Sequence, residues 1–264
     1  MKKTDKKLSD VQAVYSGAEG TLWELIMGEQ IHVGGMNSSM ELAKNAGIKE
    51  GMHGCDLCCC NGAGMRFLAE NFKTQMTGVD ATDKVIEVGK ARNEARGLAE
   101  KVSFVKGDVT DIPIEDGKFD FVWGEDAWCY VEDKGKLISE AARVLKPGGT
   151  IAFTDWVEGP SGMTDDEADR VNTFMKFPYM ESITGYKKLL EENGFEVKEA
   201  KQIEFAEYVD LYIQMLTKQF TSDALRIIGN DMELFQAMGG EMMNMSELAH
   251  ADKMTRGRFI AVKK

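Results

Sequence analysis

Three acidic residues carry the first chemical signal in this chain of 264 residues. Asp56 lies in CDLCCCNGAG, Cys55 to Gly64, where a carboxylate ends an apolar run and Gly62 and Gly64 occupy the turn that opens a helical pattern. Glycine there lets backbone amides approach a ligand closely, and the start of a helix offers N–H groups without partners. Asp80 follows 24 residues later in TGVDA, a place and spacing suited to accepting both hydroxyls of a ribose. Asp108, in GDVTDIP, ends the next apolar run beside Val109. One such acid alone is as often a helix or turn cap, but three at consecutive strand ends form a row shaped for a nucleoside.

The elements that must position these acids read as short apolar strands alternating with amphipathic helices from Gly51 onward, the pattern of a parallel sheet with crossover helices. HGCDLCC, QMTGVDA, VSFVKGD, KFDFVWG and TIAFTDW are predicted strands, with AGMRFLAENF, DKVIEVGKARNEARG and KLISEAARVL as the helices between them and KPGG as a tight turn. Right-handed crossovers then bring the carboxyl ends of the strands to one edge, where open α/β sheets bind ligands. Before this core, TLWELIMGEQ is helical and a helix beginning at Ser39 ends at Gly47. Beyond Trp156, helices are expected over DDEADRVNTFMKF, TGYKKLLEENG, Tyr208 to Phe220 and Met232 to His250, with strands at FEVKEAKQI and GRFIAVKK.

A nicotinamide fingerprint G-x-G-x-x-G cannot be laid on the loop, because Gly62 and Gly64 are followed by Met65 and Arg66. Cys55 and Cys58 form a C-x-x-C with two more thiols adjacent, but only Cys129 and three scattered histidines remain to supply a second ligand pair. No metal is expected, and the thiols read as small side chains of a strand and turn. An odd number of cysteines, three of them consecutive, fits a reducing cytoplasm.

Thirty-two Lys and Arg against forty-four Asp and Glu leave a net charge of -12 with no basic stripe, which disfavours nucleic acid as a partner. The Lys-rich opening has no apolar run behind it, so neither a secretory signal nor a membrane partner is expected. Four prolines and no low-complexity stretch fit one domain over 1–264, with an annex at 1–50, a core at 51–156, and lid helices and C-terminal strands at 157–264. The composition is compatible with self-association as a homo-oligomer.

The order of acid and glycine-rich loop, second acid, GD before an apolar residue, FDFVW and VLKPGGTIAFTDW resembles class I S-adenosylmethionine-dependent methyltransferases across 51–156. That resemblance implies a Rossmann-like α/β fold: a mostly parallel seven-stranded sheet with helices on both faces, an N-terminal helical annex and a helical lid insertion. It implies S-adenosylmethionine as cofactor, with Asp56, Asn61, Gly62 and Gly64 at its methionine part, Asp80 at the ribose, Asp108 and Val109 at the adenine, and Glu125 as a further contact. Cysteines stand at 58 and 60, where the family more often has glycine.

LWELIMGEQIHVGG, WGEDAWCYVED and GYKKLLEENGF further resemble the sarcosine and dimethylglycine methyltransferases, whose first two segments run W-G-G-E-x-I-H-x-G and W-x-x-D-A-x-x-H. Met27 replaces a Trp or Gly, and Tyr130 falls near the place of a His. The resemblance implies N-methylation of a small amine such as sarcosine or dimethylglycine. Asp126, Trp128, Tyr15 and His32 become catalytic candidates, and Trp23 and Trp156 substrate contacts. Aromatic faces would suit an ammonium product through cation–π attraction. The alternatives are O-, S- or C-methylation of another small metabolite, or a nucleotide-binding module without catalysis.

Overall fold

The structure, a computed structural model, describes residues 2–264. Three helices come first, α1 (Leu8–Ser16), α2 (Ala18–Met27) and α3 (Gly35–Asn45). The alternating core follows as β1 (His53–Leu57), α4 (Ala63–Phe72), β2 (Gln75–Asp80), α5 (Asp83–Ala95), β3 (Val102–Lys106), β4 (Phe119–Glu125), α6 (Lys134–Val144) and β5 (Leu145–Glu158). The remainder is α7 (Asp165–Met175), β6 (Glu181–Ser182), α8 (Ile183–Glu192), β7 (Phe195–Ile203), α9 (Ala206–Gln214), α10 (Thr221–Ile227), α11 (Met232–His250) and β8 (Met254–Lys263).

Seven strands run in the order β3-β2-β1-β4-β5-β8-β7, and the two-residue β6 adds an eighth beside β5. The first five are mutually parallel, while β8 lies antiparallel to both β5 and β7. This is the open, mostly parallel α/β sheet expected from the alternation of strands and helices, and the Rossmann-like fold that the resemblance implies. Because side chains alternate across a pleat, Phe121 and Trp123 pack on one face with Leu42, Met65 and Leu68, and Val122 packs on the other with Leu137, Ile138 and Leu190. A third apolar cluster, including Leu22, Trp156, Val171, Phe177, Val209 and Met245, joins α2 to the helices that follow β5.

Local chemistry sets several boundaries. Thr164 and Glu167 form a reciprocal capping box at the start of α7, and Asp133, Ser182 and Asp231 cap α6, α8 and α11 with their side chains. Helix α3 begins at Gly35, four residues before the expected start at Ser39, because Gly34 at φ 80° supplies the turn into it. KPGG does not separate two elements. It forms an excursion within β5, whose pairing with β4 jumps from Phe119↔Leu145 to Phe121↔Thr150.

Candidate active site

The first four strands end on a cavity of about 410 Å³, within the usual size range of small-molecule sites. Its floor is built from Asp56, the loop after it, Asp80, Asp108, Val109, Glu125 and Asp126, and its roof from Leu8, Val11 and Tyr15 of α1 together with residues 29–32.

The loop between β1 and α4 is bent sharply. Cys58 and Cys60 adopt φ 62° and 48°, in the left-handed region where glycine is favoured, and Gly62 follows at φ 75° as the N-cap of α4. Val79 O accepts from the amides of Cys58 and Cys59 at 2.9 and 3.2 Å, tying the bend to β2. From beneath, the fully buried Arg66 donates to Asn61 O at 2.7 Å and to Asn61 Oδ1 at 3.1 Å, while Asn61 Nδ2 donates to Glu29 O at 3.0 Å. Asn61 therefore joins loop, helix and annex. Gly62 does not line the cavity; a Cβ there would stand 2.5 Å from the Phe104 ring, so its role is to shape the turn.

Asp80 accepts from Cys60 N through Oδ2 and from Thr82 N through Oδ1, both at 2.9 Å, which fixes the carboxylate plane and leaves lone pairs toward the cavity. Burial raises its pKa and those hydrogen bonds oppose the rise. Asp56 has no such compensation: burial, then Glu125, then Asp80 push its pKa well above the usual carboxylate range. Glu125 accepts from Trp123 Nε1 at 3.0 Å and from Ser39 Oγ at 2.9 Å. A Cβ added at Gly64 would lie 3.3 Å from Glu125 Oε2 and 3.5 Å from Asp56 Oδ2, so bare backbone and two carboxylates border one space. Asp108 is exposed at the far rim, where it accepts from Thr110 N and Oγ1 at 2.8 Å, beside the buried Val109.

This donor and acceptor set fits S-adenosylmethionine. Asp80 suits a ribose diol, the apolar rim around Val109 suits a nucleobase, and the uncompensated Asp56 with Glu125 beside it suits a cationic chain.

A second, smaller cavity of about 20 Å³ shares Tyr15, Ile31, His32, Asp126 and Tyr130 with the large one, and Trp23, Met27, Trp156, Met175 and Phe177 close it. Tyr15 Oη donates to Tyr130 Oη at 3.1 Å with the rings edge to face, 5.8 Å between centroids. Burial first, then Tyr130 for Tyr15 and the Cys129 thiol for Tyr130, push both phenols above the ordinary tyrosine range, with the hydrogen bond from Tyr15 opposing the rise at Tyr130. The expected pair of tryptophans, Trp23 and Trp156, is thus brought to this chamber together with Tyr15.

Three catalytic candidates stand differently from expectation. Trp128 lines neither cavity. It opens a 3-10 turn, is fully buried, stacks on Phe153 at 4.1 Å and donates Nε1 to Leu57 O at 3.1 Å, so its faces serve the core and not a ligand. His32 has both ring nitrogens engaged, Nδ1 at 3.2 Å from Val33 O and Nε2 at 3.1 Å from Ser39 Oγ and 3.5 Å from Glu125 Oε1, which makes it a brace of the annex. Asp126 does border both cavities, but Oδ1 accepts from Arg256 Nε at 2.7 Å and Oδ2 from Val33 N at 2.8 Å. It acts as a latch between β4, β8 and the annex, at the left-handed φ of 53°.

The residues that sequence reasoning missed are Tyr130, Arg256, Arg66 and Ser39. Tyr130 was visible as the substitution near an expected His. Arg256 pairs across 130 residues, and no local pattern signals such a partner. Among the described residues, no three His, Cys, Asp or Glu side chains are placed to hold a metal ion, and no helix is long and apolar enough to cross a membrane.

Residues 55–153 match the family described as a methyltransferase domain. A protein named probable tocopherol O-methyltransferase, chloroplastic, from Oryza sativa subsp. japonica is 31% identical over 167 residues, covering 55% of this chain and 46% of its own. The sarcosine/dimethylglycine N-methyltransferase of Halorhodospira halochloris is 24% identical over 210 residues, 73% of this chain and 74% of its own. Phosphoethanolamine N-methyltransferase 2 of Haemonchus contortus, solved with phosphomonomethylethanolamine and S-adenosylhomocysteine, superposes with a TM-score of 0.86 at 22% identity, covering 98% of this chain and 60% of its own. At that identity the likeness shows the shared fold. The chain spans less than half the length of the first curated relatives it matches.

Proposed function

We propose, for a chain that carries a methyltransferase domain at residues 55–153, that it transfers the methyl group of S-adenosylmethionine to the nitrogen of a small amine. The observation that carries this reading is the aromatic chamber of Tyr15, Trp23, Tyr130 and Trp156, which opens beside the carboxylate row of Asp56, Asp80 and Glu125. Relatives named for sarcosine, dimethylglycine and phosphoethanolamine methylation support nitrogen as the acceptor atom. The tocopherol relative supports oxygen as the second reading.

The cofactor, when bound, supplies an electrophilic methyl on a sulfonium. What this chain contributes is placement. Asp80 holds the ribose, the bend at Cys58–Gly64 admits the methionine part, and Asp56 with Glu125 balances its positive charge. Holding donor and acceptor in line is worth roughly 7–11 kcal/mol in favourable cases. An amine must arrive unprotonated; the Tyr15–Tyr130 pair can accept a hydrogen bond from the N–H of a secondary amine and so turn its lone pair toward the methyl, whereas a tertiary amine is placed by the surrounding rings. The surrounding rings then face the cation that forms.

Incubation of the purified chain with methyl-labelled S-adenosylmethionine and a panel of amines, phenols and thiols, followed by mass identification of products, tests this. Label on phenols or thiols alone would replace the amine reading with the second one, and binding of the cofactor without any transfer would leave only a nucleotide-binding module.

A further inference from the structure

Resting on the amine reading above, we infer that the acceptor carries no carboxylate or phosphate: it is a small secondary or tertiary amine whose remaining polar group, if present, is an uncharged hydroxyl. The chamber next to the carboxylate row has apolar or aromatic walls in Met27, Ile31, Trp156, Met175 and Phe177. The side chains with polar groups that line it are Tyr15 and Tyr130, Trp23 and Trp156 with their indole N–H groups, a histidine with both nitrogens engaged, and Asp126. No Lys or Arg lines it among the described residues.

The buried cations near the chamber have other partners. Arg256 donates to Asp126, to Ser38 Oγ at 2.9 Å and to Thr154 Oγ1 at 2.9 Å, and it borders a separate groove with Tyr208 and Thr255. Arg66 lies beneath the loop, bound to Asn61. Lys134 is enclosed by the carbonyls of Cys129, Val131 and Tyr179. The one lysine bordering the large cavity, Lys136, belongs to the stretch with Glu132 and Asp133 that lines the cavity together with Asp108 and Val109, the end suited to the nucleobase.

An anionic head group in the chamber would lose its water beside Asp126 and gain no cation, an unfavourable exchange. A neutral amine meets no such penalty. One hydroxyl hydrogen of the tyrosine pair joins the two rings, which leaves the other hydrogen and the oxygen lone pairs for an amine or alcohol. The volume of about 20 Å³ admits groups of methyl size.

The test compares initial rates of methylation for three acceptors that differ in one group: 2-(dimethylamino)ethanol, N,N-dimethylglycine, and the phosphate ester of the first. The wild-type chain should show a kcat/KM at least about ten-fold higher for the alcohol than for either anion. A lower ratio, or preference for an anion, overturns the inference while leaving amine methylation intact. If none of the three is methylated although calorimetry shows the cofactor bound, the amine reading fails and the inference falls with it.

Discussion

Asp126 and Arg256 form a buried ion pair, Oδ1 to Nε at 2.7 Å with both side chains 2% exposed, that joins the end of β4 to the last strand. Arg256 also reaches Ser38 and Thr154, and Asp126 also holds Val33 N, so annex, central sheet and β8 meet at one point.

Removing one partner leaves an uncompensated buried charge. Arg256→Ala is expected to destabilise the chain by about 3–5 kcal/mol. Arg256→Met with Asp126→Asn should lose less than the sum of the two single changes, because the partners lose their charges together. Urea unfolding of the wild type, Arg256→Ala, the two single changes and the double change measures both quantities, and additive losses would show that the pair is not coupled.

Cofactor affinity should depend most on Asp80. A charged acceptor holding hydroxyls contributes roughly 1.5–3 kcal/mol, so Asp80→Ala is expected to weaken S-adenosylmethionine binding about ten- to a hundred-fold without unfolding the sheet. Unchanged affinity in calorimetry would remove Asp80 from the ribose.

The phenol pair belongs to the acceptor side. Tyr15→Phe and Tyr130→Phe keep the aromatic walls and delete one hydroxyl each, so the cofactor dissociation constant should stay within about two-fold while kcat falls about ten-fold or more. Equal losses in cofactor affinity and rate would place these hydroxyls on the cofactor instead.

Asp155, fully buried under the loop after β4, accepts from Tyr186 Oη at 2.6 Å and Cys129 N at 3.0 Å, and burial pushes its pKa up to about 6 against the pull of Lys134. The folded pKa lies above the unfolded value near 4, so the folded chain holds the extra proton between them. The stability contributed is complete below about pH 4 and lost as pH rises through about 6. Relative to Asp155→Asn, which does not titrate, the wild type should lose up to about 3 kcal/mol between pH 4 and 7. Urea midpoints across that range would show a constant difference if Asp155 does not change its protonation.

The cysteines of the loop carry a stability signature. At φ 62° and 48°, Cys58 and Cys60 store strain on the order of 1–2 kcal/mol each, partly cancelled on replacement by the greater freedom of glycine in the unfolded chain. Cys58→Gly and Cys60→Gly should therefore leave stability unchanged or raise it by about 1 kcal/mol, whereas Cys60→Val should lower it. A glycine variant that melts well below wild type would mean that the thiols contribute packing larger than the strain.

The row of acids was readable from the chain because parallel topology sends strand ends to one edge, and Asp56, Asp80 and Asp108 each follow a short run that alternation with helices marks as a strand. What lies past those strands was harder to read. Trp128 looked like part of the site because it is two residues from Asp126, yet the 3-10 turn at Trp128–Tyr130 sends the indole into the core and Tyr130 to the chamber. The role of Asp126 depends on an arginine in the last strand, and that of His32 on Ser39 and Glu125. Side-chain pairings across long stretches of chain leave no periodic trace in the sequence.

The roof of the cavity is stitched to the core largely by ion pairs that face water. Glu24 of α2 meets Arg92 of α5, and Glu29 meets Arg96 at 3.0 Å as well as the buried Arg66 at 3.3 Å. A spent cofactor seated beneath residues 29–32 would be covered by a segment held in this way, so its release would draw on these surface contacts. Dissolved salt weakens pairs of this kind within a Debye length of about 10 Å at 0.1 M. Product release is therefore expected to quicken as ionic strength rises, and a dissociation rate of S-adenosylhomocysteine that does not change with salt would show that these pairs play no part in it.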